Sequence, residues 1–316
     1  MATTADRFYG MDGRIVRGDE AVFPIHSPAG KYGLNVFEGF RGYWSEECNE
    51  IFVFRCADHY RRLLESARMI WIPAPWQPDE LLAHMLEVAR ANGHRFDIQL
   101  RHGIYLGGDA EFASQTMSSH FVIVNPRGRA FDSSKGIRAG ISTWKRINET
   151  DLPPRIKAGS NYLNSRMALI EARRHGYDTA ILLGHDGKVA EAPTACLFMV
   201  RGGRVVTPSV TASILESITR DTAMTLLRDE LASPVTERDI DRTELYLAEE
   251  IFLAGTAAEI VPIVSVDGLQ ISSGEPGPIT RRVQKLYDDV VHARMSKYEH
   301  WLTPVYAAAE RTLQRA

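Results

Sequence analysis

The sequence predicts an α+β fold with two domains, and three observations carry that prediction. Short strand patterns joined by Asp-Gly or Gly-Gly turns occur in both halves of the chain, which is typical of antiparallel hairpins. Longer stretches with apolar residues at helical spacing lie between them. With 316 residues, the chain is long enough to build two cores. The hairpin signals argue against a doubly wound parallel sheet.

The predicted domains are separated by a loop without apolar periodicity. Residues 126–136 read P-R-G-R-A-F-D-S-S-K-G and are rich in turn formers. We therefore expect a small N-terminal α/β domain over residues 1–125, an interdomain loop over 126–136 and a larger domain over 137–316.

The first domain combines hairpin and helix signals. A hairpin turn is predicted at Asp12-Gly13, and Asp58 is expected to cap a helix that runs to Met69. Pro78 is expected to open a second helix that Gly93 ends. Strands are predicted at 32–44, 97–106 and 120–125.

The second domain begins with a strand at 137–144. A helix follows Lys157, with Leu163, Met167 and Ile170 expected on its buried face and Gly176 at its end. The remaining predictions are strands at 179–183, 188–191, 196–200 and 204–207, helices at 218–231 and 242–249, a strand, turn and strand from 250 to 263, and a closing helix at 278–295.

Composition and charge exclude several classes of function. A net charge of -3 gives no general attraction to nucleic acid or to anionic membrane surfaces. The three cysteines, Cys48, Cys56 and Cys196, are too widely spaced for a zinc site or a disulfide framework. No apolar run reaches the length of a membrane span, and the N-terminus lacks the apolar core of a signal peptide. We expect a cytoplasmic protein without a metal.

Lys157 is the most informative candidate for chemistry. It follows an extended run and precedes a helical pattern, in R-I-K-A-G-S-N-Y-L-N-S-R over residues 155–166. A partly desolvated lysine loses proton affinity, and the neutral amine can attack a carbonyl to form a Schiff base. A solvated loop lysine is the simpler alternative for any lone residue, so the interpretation depends on the residues downstream.

Three downstream segments fit a phosphorylated cofactor held by such a lysine. The segment S-I-T-R-D at 217–221 places Thr219 and backbone amides at a helix start, which suits an anion. Gly255-Thr256-Ala257 forms a turn with further backbone donors. Glu191 ends a strand, where a carboxylate can hold a pyridine nitrogen protonated. Taken singly, each segment could equally be a helix cap, a turn or a surface charge.

Together these segments resemble the fold-type IV pyridoxal-phosphate enzymes, whose fold is that of D-amino acid aminotransferase, and among them the branched-chain aminotransferases. The resemblance covers about residues 8–286. The most specific motifs are Y-G-x-x-V-F-E-G at 32–39, K-A-G-x-N-Y at 157–162, H-G-Y-D at 175–178, L-x-x-I-T-R-D at 215–221 and G-T-A-A-E-I at 255–260. It implies a larger domain with a mostly antiparallel sheet or barrel.

The resemblance also implies roles for individual residues. Lys157 would be the Schiff-base lysine and proton shuttle, Glu191 would contact the pyridine nitrogen, and Tyr162 would contact the ring hydroxyl. The phosphate would be held by Arg62, Ile218, Thr219 and Thr256. The substrate would be lined by Tyr32, Phe37, Gly39 and the backbone of Thr256-Ala257.

The chain departs from the family pattern at three places. Residues 192–196 read A-P-T-A-C where G-x-x-E-N is usual after the glutamate. Q-L-R-H at 99–102 stands where branched-chain enzymes read Y-I-R-P, so that Arg101 is kept and Gln99 replaces a tyrosine. Arg127 and Ala130 stand where bulky aromatics are common. We expect Gln99, Arg101 and Arg127 to influence substrate choice.

The resemblance implies a transaminase that uses pyridoxal 5'-phosphate to move an amino group between an amino acid and a 2-oxo acid. A branched-chain L-amino acid and glutamate are the expected donors, and the chain is expected to form a homodimer or a higher homo-oligomer. Three alternatives stay open: a D-amino acid or (R)-amine transaminase, an aminodeoxychorismate lyase, and a scaffold protein without a cofactor.

Overall fold

The computed structural model describes residues 6–109 and 111–306. The chain forms two compact units. The first unit contains the described residues up to Gly128, the short segment Ile156–Ser160 and the described residues from Asp289 onward. The second contains Arg129–Arg155 and Asn161–Asp288. Two distant segments of the chain are therefore added to the N-terminal residues to complete the first unit.

The secondary structure alternates strands and helices along the chain. The strands are β1 (Phe8–Met11), β2 (Arg14–Arg17), β3 (Asn35–Ser45), β4 (Glu50–Phe54), β5 (Ile98–Leu106), β6 (Ser118–Pro126), β7 (Ile137–Lys145), β8 (Thr179–Leu183), β9 (Glu191–Ala192), β10 (Ala195–Arg201), β11 (Arg204–Thr207), β12 (Thr236–Glu237), β13 (Glu250–Gly255), β14 (Glu259–Val266), β15 (Leu269–Gln270) and β16 (Leu302–Pro304). The α-helices are α1 (Pro28–Tyr32), α2 (Cys56–Met69), α3 (Pro78–Asn92), α4 (Tyr162–Arg174), α5 (Ile218–Leu231) and α6 (Pro278–Val291). Short 3-10 helices cover Gly159–Asn161, Arg242–Leu247 and Ser296–Trp301.

The first unit is built on an antiparallel sheet with strand order β16-β4-β3-β5-β6-β1-β2. The predicted hairpin is confirmed, since β1 and β2 are joined by Asp12 and Gly13, both with positive φ. One face of the sheet packs against α2 and α3. Burial of the large apolar side chains on this face stabilises the unit by about 1.5–3 kcal/mol each. The core includes Val36, Phe40, Leu63, Leu81, Met85 and Leu100.

Helix α2 begins earlier than the sequence predicts, and the expected cap is wrong. Its N-cap residue is Arg55, which has φ 52 and makes no capping hydrogen bond through its side chain. Asp58 lies instead in the first turn, where its carboxylate accepts from Arg55 Nε at 2.7 Å and pairs with Arg61. The acidic side chain still stabilises the positive end of the helix dipole, although it does not cap it. For α3, the prediction of Pro78 at the start and Gly93 at the end is confirmed.

The second unit is built on a mixed sheet with the main strand order β12-β11-β10-β13-β14-β7-β8. Most pairs are antiparallel, as expected. The pairs β7–β8, β7–β14 and β11–β12 are parallel. Helix α4 connects β7 to β8, and such a crossover is what parallel neighbours require.

Helix α4 buries a different face from the one predicted. Leu163 is 64% exposed and Met167 is 38% exposed. The buried positions are Ser165, Ala168 and Ala172. Ala168 and Ala172 form an apolar cluster with Ala180 and Leu182 of β8. The prediction was wrong because it considered only large apolar residues, whereas small residues form the buried face of the helix.

Among the described residues, no helix is both long enough and apolar enough to cross a bilayer. None of the three cysteines, Cys48, Cys56 and Cys196, forms a disulfide within the part of the chain that the structure describes.

Candidate active site

Four predicted substrate residues lie on the face of the first sheet opposite the helices. In the pairing of β3 with β5, Gly39 is opposite Arg101 and Arg41 is opposite Gln99. Because side chains alternate along a strand, Phe37, Gly39, Gln99 and Arg101 share this face. The Arg101 guanidinium carbon lies 4.5 Å from the Phe37 ring centroid, within cation-π range. The sheet thus brings these four residues together.

Two glycines of β3 differ in the space around them. A Cβ added at Gly39 would meet no heavy atom within 4 Å. A Cβ at Gly42 would lie 2.7 Å from Ile51 Cγ2 and from Ile98 Cγ1. Gly42 is therefore required by core packing, whereas Gly39 leaves a gap on the face that carries the predicted substrate residues.

Tyr32 and Arg127 lie at the margins of this unit. Tyr32 ends α1, is 53% exposed, and packs edge-on against Phe112 with ring centroids 5.0 Å apart. Arg127 is exposed just beyond β6. Its carbonyl accepts from Nη1 of the buried Arg41 at 3.0 Å, so the first residues of the predicted interdomain loop are held through their backbone.

Lys157 is fixed by its backbone to two elements of the first unit. Its carbonyl accepts from Phe37 N at 3.0 Å, and its amide donates to Ser66 Oγ on α2 at 3.2 Å. Its Nζ atom lies 5.4 Å from the Phe37 ring centroid. The lysine therefore lies beside a predicted substrate residue, with its main chain immobilised by β3 and α2.

Arg62 lies one helical turn before Ser66 and is engaged by a buried carboxylate. Its Nε donates to Glu38 Oε1 at 2.6 Å, and its Nη2 donates to Glu38 Oε2 at 2.8 Å. His59 Nδ1 lies 2.7 Å from the same Oε2. Burial raises the pKa of the Glu38 carboxyl, but the charges of Arg62, His59 and Lys157 outweigh that effect and leave the pKa well below its usual range. Glu38 is therefore an anion.

In the second unit, Glu191 is buried and accepts hydrogen bonds from several groups. Arg146 Nη2 lies 2.8 Å from Glu191 Oε1, with both side chains buried. The amide of Leu215 donates to the same oxygen at 3.2 Å. The Cys196 thiol donates to Oε2 at 3.7 Å. A carboxylate with these donors is stabilised in its charged form.

Arg146 also connects Glu191 to helix α4, which begins at Tyr162. Its Nη1 donates to Asn164 Oδ1 at 3.3 Å and to Ser165 Oγ at 3.4 Å. The Arg146 side chain therefore links β9, which carries Glu191, to the first turn of α4, which carries Tyr162.

The predicted anion site at the start of α5 has the expected backbone geometry. Ser217 is the N-cap, and its Oγ accepts from the amide of Arg220 at 3.2 Å. The two preceding amides belong to Ile218 and Thr219, both buried, at the positive end of the helix dipole. The Arg220 side chain binds Pro208 O and Glu237 instead, so it anchors the helix.

The turn containing Thr256 and Ala257 connects β13 to β14. Gly255, just before it, would place a Cβ 2.7 Å from the Thr194 carbonyl oxygen. The turn is thus packed directly against the hairpin of β9 and β10 at Thr194 and Ala195, within the segment 192–196 that departs from the family pattern. Leu215 lies three residues before Ile218, where α5 begins. Its amide donates to Glu191, so it links the start of α5 to the same region.

Each unit thus gathers one set of predicted residues. The first holds Tyr32, Phe37, Gly39, Arg62, Gln99, Arg101, Arg127 and Lys157, and the second holds Tyr162, Glu191, Ile218, Thr219, Thr256 and Ala257. Sequence reasoning did not identify Glu38 or Arg146. Glu38 had a signal, because it lies inside the Y-G-x-x-V-F-E-G motif, whereas Arg146 lies in no motif. In the described part of the chain, no group of three or more His, Cys, Asp or Glu residues is arranged to hold a metal ion.

Comparison with known proteins identifies one family. The model of the family described as amino-transferase class IV matches residues 35–266. A probable branched-chain-amino-acid aminotransferase of Aquifex aeolicus is 38% identical over 307 residues, which are 95% of this chain and 97% of that protein. The branched-chain-amino-acid aminotransferase of Escherichia coli K12 is 35% identical, over 96% of this chain and 99% of that protein.

Solved structures give the same result. The branched-chain amino acid aminotransferase from Thermobaculum terrenum in its PLP-form superposes with a TM-score of 0.91 and 41% identity, covering 96% of this chain and 99% of that one. The branched-chain aminotransferase of the archaeon Thermoproteus uzoniensis, solved with norvaline, superposes with a TM-score of 0.90 and 39% identity, covering 95% and 99%.

Proposed function

This chain belongs to the class IV aminotransferases, and we propose that it is a pyridoxal-phosphate enzyme that transfers the amino group of branched-chain L-amino acids and glutamate to 2-oxo acids. The proposal is supported by relatives that match nearly the whole chain. A D-amino acid transaminase, an (R)-amine transaminase and an aminodeoxychorismate lyase are not favoured, since the relatives reported above are named branched-chain aminotransferases. Membership of the family also disfavours a scaffold protein.

The residues present fit the cofactor. Its phosphate needs amide donors and cations, which Ile218, Thr219 and Arg62 offer at a capped helix start and on α2. Its pyridine nitrogen needs a buried carboxylate, and the Glu191 carboxylate is 4% exposed with Arg146 beside it. When bound, the cofactor supplies an aldehyde for the amine and a ring that accepts electrons.

The single observation that carries the proposal is the buried and ionically paired state of Glu191. Its carboxylate would accept a hydrogen bond from the protonated ring nitrogen. Because Arg146 stabilises the carboxylate as an anion, the proton would stay on the nitrogen. Lys157 would bind the cofactor through Nζ and move the proton of the donor α-carbon. Tyr162 would orient the ring through its hydroxyl, and Thr256 would add a phosphate donor.

The substrate face would supply specificity. Phe37 offers an apolar surface and Arg101 a cation that can pair with a carboxylate. Gly39 leaves room for a branched side chain, and Gln99 and Arg127 would modify the preference. We infer further that Tyr32 and the backbone of Thr256-Ala257 line this substrate site.

The assembly and location belong to the same proposal. We propose a homodimer or a multiple of it. The exposed aromatic pair Tyr32 and Phe112 supports this, because such surfaces are often covered by a partner. The three cysteines, none of which forms a disulfide with another described residue, support a reducing cytoplasm. Sedimentation velocity tests the assembly, and a monomer at micromolar concentration would contradict it.

The experiment is an absorption spectrum of the purified full-length chain with added pyridoxal phosphate. We expect a visible band, distinct from the free cofactor, that is absent from Lys157→Ala and retained in Lys135→Ala, whose side chain is 84% exposed. Transfer of the amine from L-leucine or L-glutamate to a 2-oxo acid is expected to exceed transfer from D-alanine or (R)-1-phenylethylamine. A wild-type protein without the band, or pyruvate release from aminodeoxychorismate without an acceptor, would overturn the proposal.

A further inference from the structure

Glu38 is a charged residue on the core face of the first sheet. In the β3–β5 register it lies opposite His102 and between Val36 and Phe40, which belong to the hydrophobic core. Its exposed fraction is 0%. A lone carboxylate in such a place would be strongly destabilising, so its partners explain why it is tolerated.

The partners of Glu38 are both on helix α2. Arg62 donates to the two carboxylate oxygens in the forked arrangement, at 2.6 and 2.8 Å. His59, three residues earlier, lies 2.7 Å from Oε2. Two parallel N–H···O bonds define the plane of the guanidinium as well as its position. Arg62 therefore has one orientation, and Glu38 determines it.

The strand and helix of this ion pair also hold Lys157. Phe37, next to Glu38, donates its amide to the Lys157 carbonyl, and Ser66, one turn after Arg62, accepts from the Lys157 amide. Lys157 is therefore held by β3 and α2 through bonds that do not involve the Glu38 carboxylate, whereas Arg62 is bonded to that carboxylate directly.

We propose that Glu38 is a positioning residue that orients Arg62 toward the phosphate of the cofactor, so that the enzyme selects pyridoxal phosphate over unphosphorylated pyridoxal. The inference rests on the function proposed above, in which Arg62 contacts that phosphate. If Glu38 served only the stability of the core, its replacement would lower the affinity for both ligands equally. If Glu38 positions Arg62, its replacement lowers the affinity only for the ligand that carries a phosphate.

The test measures the dissociation constants of both ligands for the full-length apoprotein by equilibrium dialysis. Glu38→Gln keeps the shape of the side chain but removes its charge and one acceptor. Charge-assisted hydrogen bonds to a misplaced guanidinium are weakened, so we expect the affinity for pyridoxal phosphate to fall about 10-fold or more. The affinity for pyridoxal should change by less than about 2-fold, because it lacks the group that Arg62 would contact.

Glu38→Asp gives a second variant, since it keeps the buried charge but is too short for the forked geometry. Like Glu38→Gln, it should lower the ratio of the affinity for pyridoxal phosphate to the affinity for pyridoxal. Asp58→Asn is the matched control, because Asp58 also pairs with arginines of the α2 region, Arg55 and Arg61, at a more exposed place. That control should leave the ratio unchanged.

A double-mutant cycle with Arg62→Met identifies the route of the effect. If Glu38 acts through Arg62, Glu38→Gln should change the ratio of affinities no further in the Arg62→Met background. Equal loss for both ligands, or an unchanged ratio in Glu38→Gln and Glu38→Asp, would overturn the inference while leaving the proposed function intact. A wild-type protein that binds no pyridoxal phosphate would instead overturn the proposed function, and this inference with it.

Discussion

Arg146 donates from Nη2 to Oε1 of Glu191 at 2.8 Å, and both side chains are buried. Removing the arginine leaves an uncompensated buried carboxylate. We expect Arg146→Met to lower the free energy of unfolding by about 3–5 kcal/mol, and Arg146→Met combined with Glu191→Gln to recover part of that loss. Urea unfolding of the apoprotein measures both.

The exposed pair Arg155–Glu216, at 2.6 Å in the same unit, is the control for this measurement. Arg155→Met should cost only about 0–1 kcal/mol, because solvent screens the pair. Equal effects of the two arginine substitutions would show that Glu191 does not depend on Arg146.

Gly39→Ala and Gly42→Ala are expected to differ in their effect on stability, although both residues lie on β3. The Gly42 methyl group would meet Ile51 and Ile98 at 2.7 Å, so this variant should lose about 1–3 kcal/mol of stability. The Gly39 methyl group meets nothing within 4 Å, so stability should be kept.

The functional effect of Gly39→Ala should appear in substrate binding. If the gap receives the donor side chain, KM should rise more for leucine than for the smaller alanine. Thermal denaturation and steady-state kinetics of both glycine variants provide the measurement. A stable Gly39→Ala enzyme with unchanged KM for leucine would place the donor elsewhere.

The histidine cluster of the first unit should make the protein sensitive to acid. Burial and the neighbouring His84 lower the pKa of His120 from its usual 6.5 to about 4, and Asp12 opposes this only in part. His102 Nε2 lies 2.9 Å from His120 Nδ1, and the Tyr60 hydroxyl is hydrogen-bonded to His102 Nδ1. Because the unfolded chain binds a proton more readily than the folded one, stability falls as the pH drops from about 6.5 to 4.

The expected loss from His120 is on the order of 1–3 kcal/mol across that interval. Unfolding free energies measured at pH 7 and pH 4.5 should show a smaller difference for His120→Gln than for the wild type. His185→Gln, at a side chain that is 57% exposed, should leave the difference as it is. An undiminished difference in His120→Gln would assign the acid sensitivity to other groups.

Gln99→Tyr should move the substrate preference toward branched-chain donors. Gln99 lies opposite Arg41 on β3 and Asn125 on β6, on the same face as Arg101. A tyrosine there adds apolar surface and one hydroxyl beside the arginine. The ratio of kcat/KM for leucine to that for alanine should rise by about 10-fold or less, as expected for small apolar contacts. An unchanged ratio would contradict the alignment of Gln99 with the tyrosine of the Y-I-R-P motif.

The sequence predicted the elements well wherever local chemistry determines them. Asp12-Gly13 makes a turn, and Gly93 ends α3, because a left-handed backbone suits those residues. Pro78 opens α3 because its fixed φ suits the first helical turn. The buried face of α4 was wrong because Ala168 and Ala172 are too small to stand out in an apolar pattern. Asp58 was misplaced as a cap because the helix begins after a left-handed Arg55, which no pattern indicates.

The same distinction applies to the candidate site. Lys157 and Thr219 lie in motifs, and Glu191 ends the strand pattern at 188–191, so a resemblance could propose roles for them. Arg146 lies 45 positions from Glu191 along the sequence, and only the folded sheet brings the two together. Long-range ion pairs of this kind depend on tertiary packing, which leaves no periodic trace in a single sequence.

The last described residues close the first unit, and this affects how the chain is made. Strand β16 pairs with β4, and the buried Glu50 carboxylate accepts from the amides of Val305 and Tyr306 at 3.1 and 2.9 Å. A ribosome releases Glu50 some 250 codons before its partners emerge. During synthesis, β4 therefore remains an unpaired edge strand of the N-terminal sheet until residues 302–304 have been made.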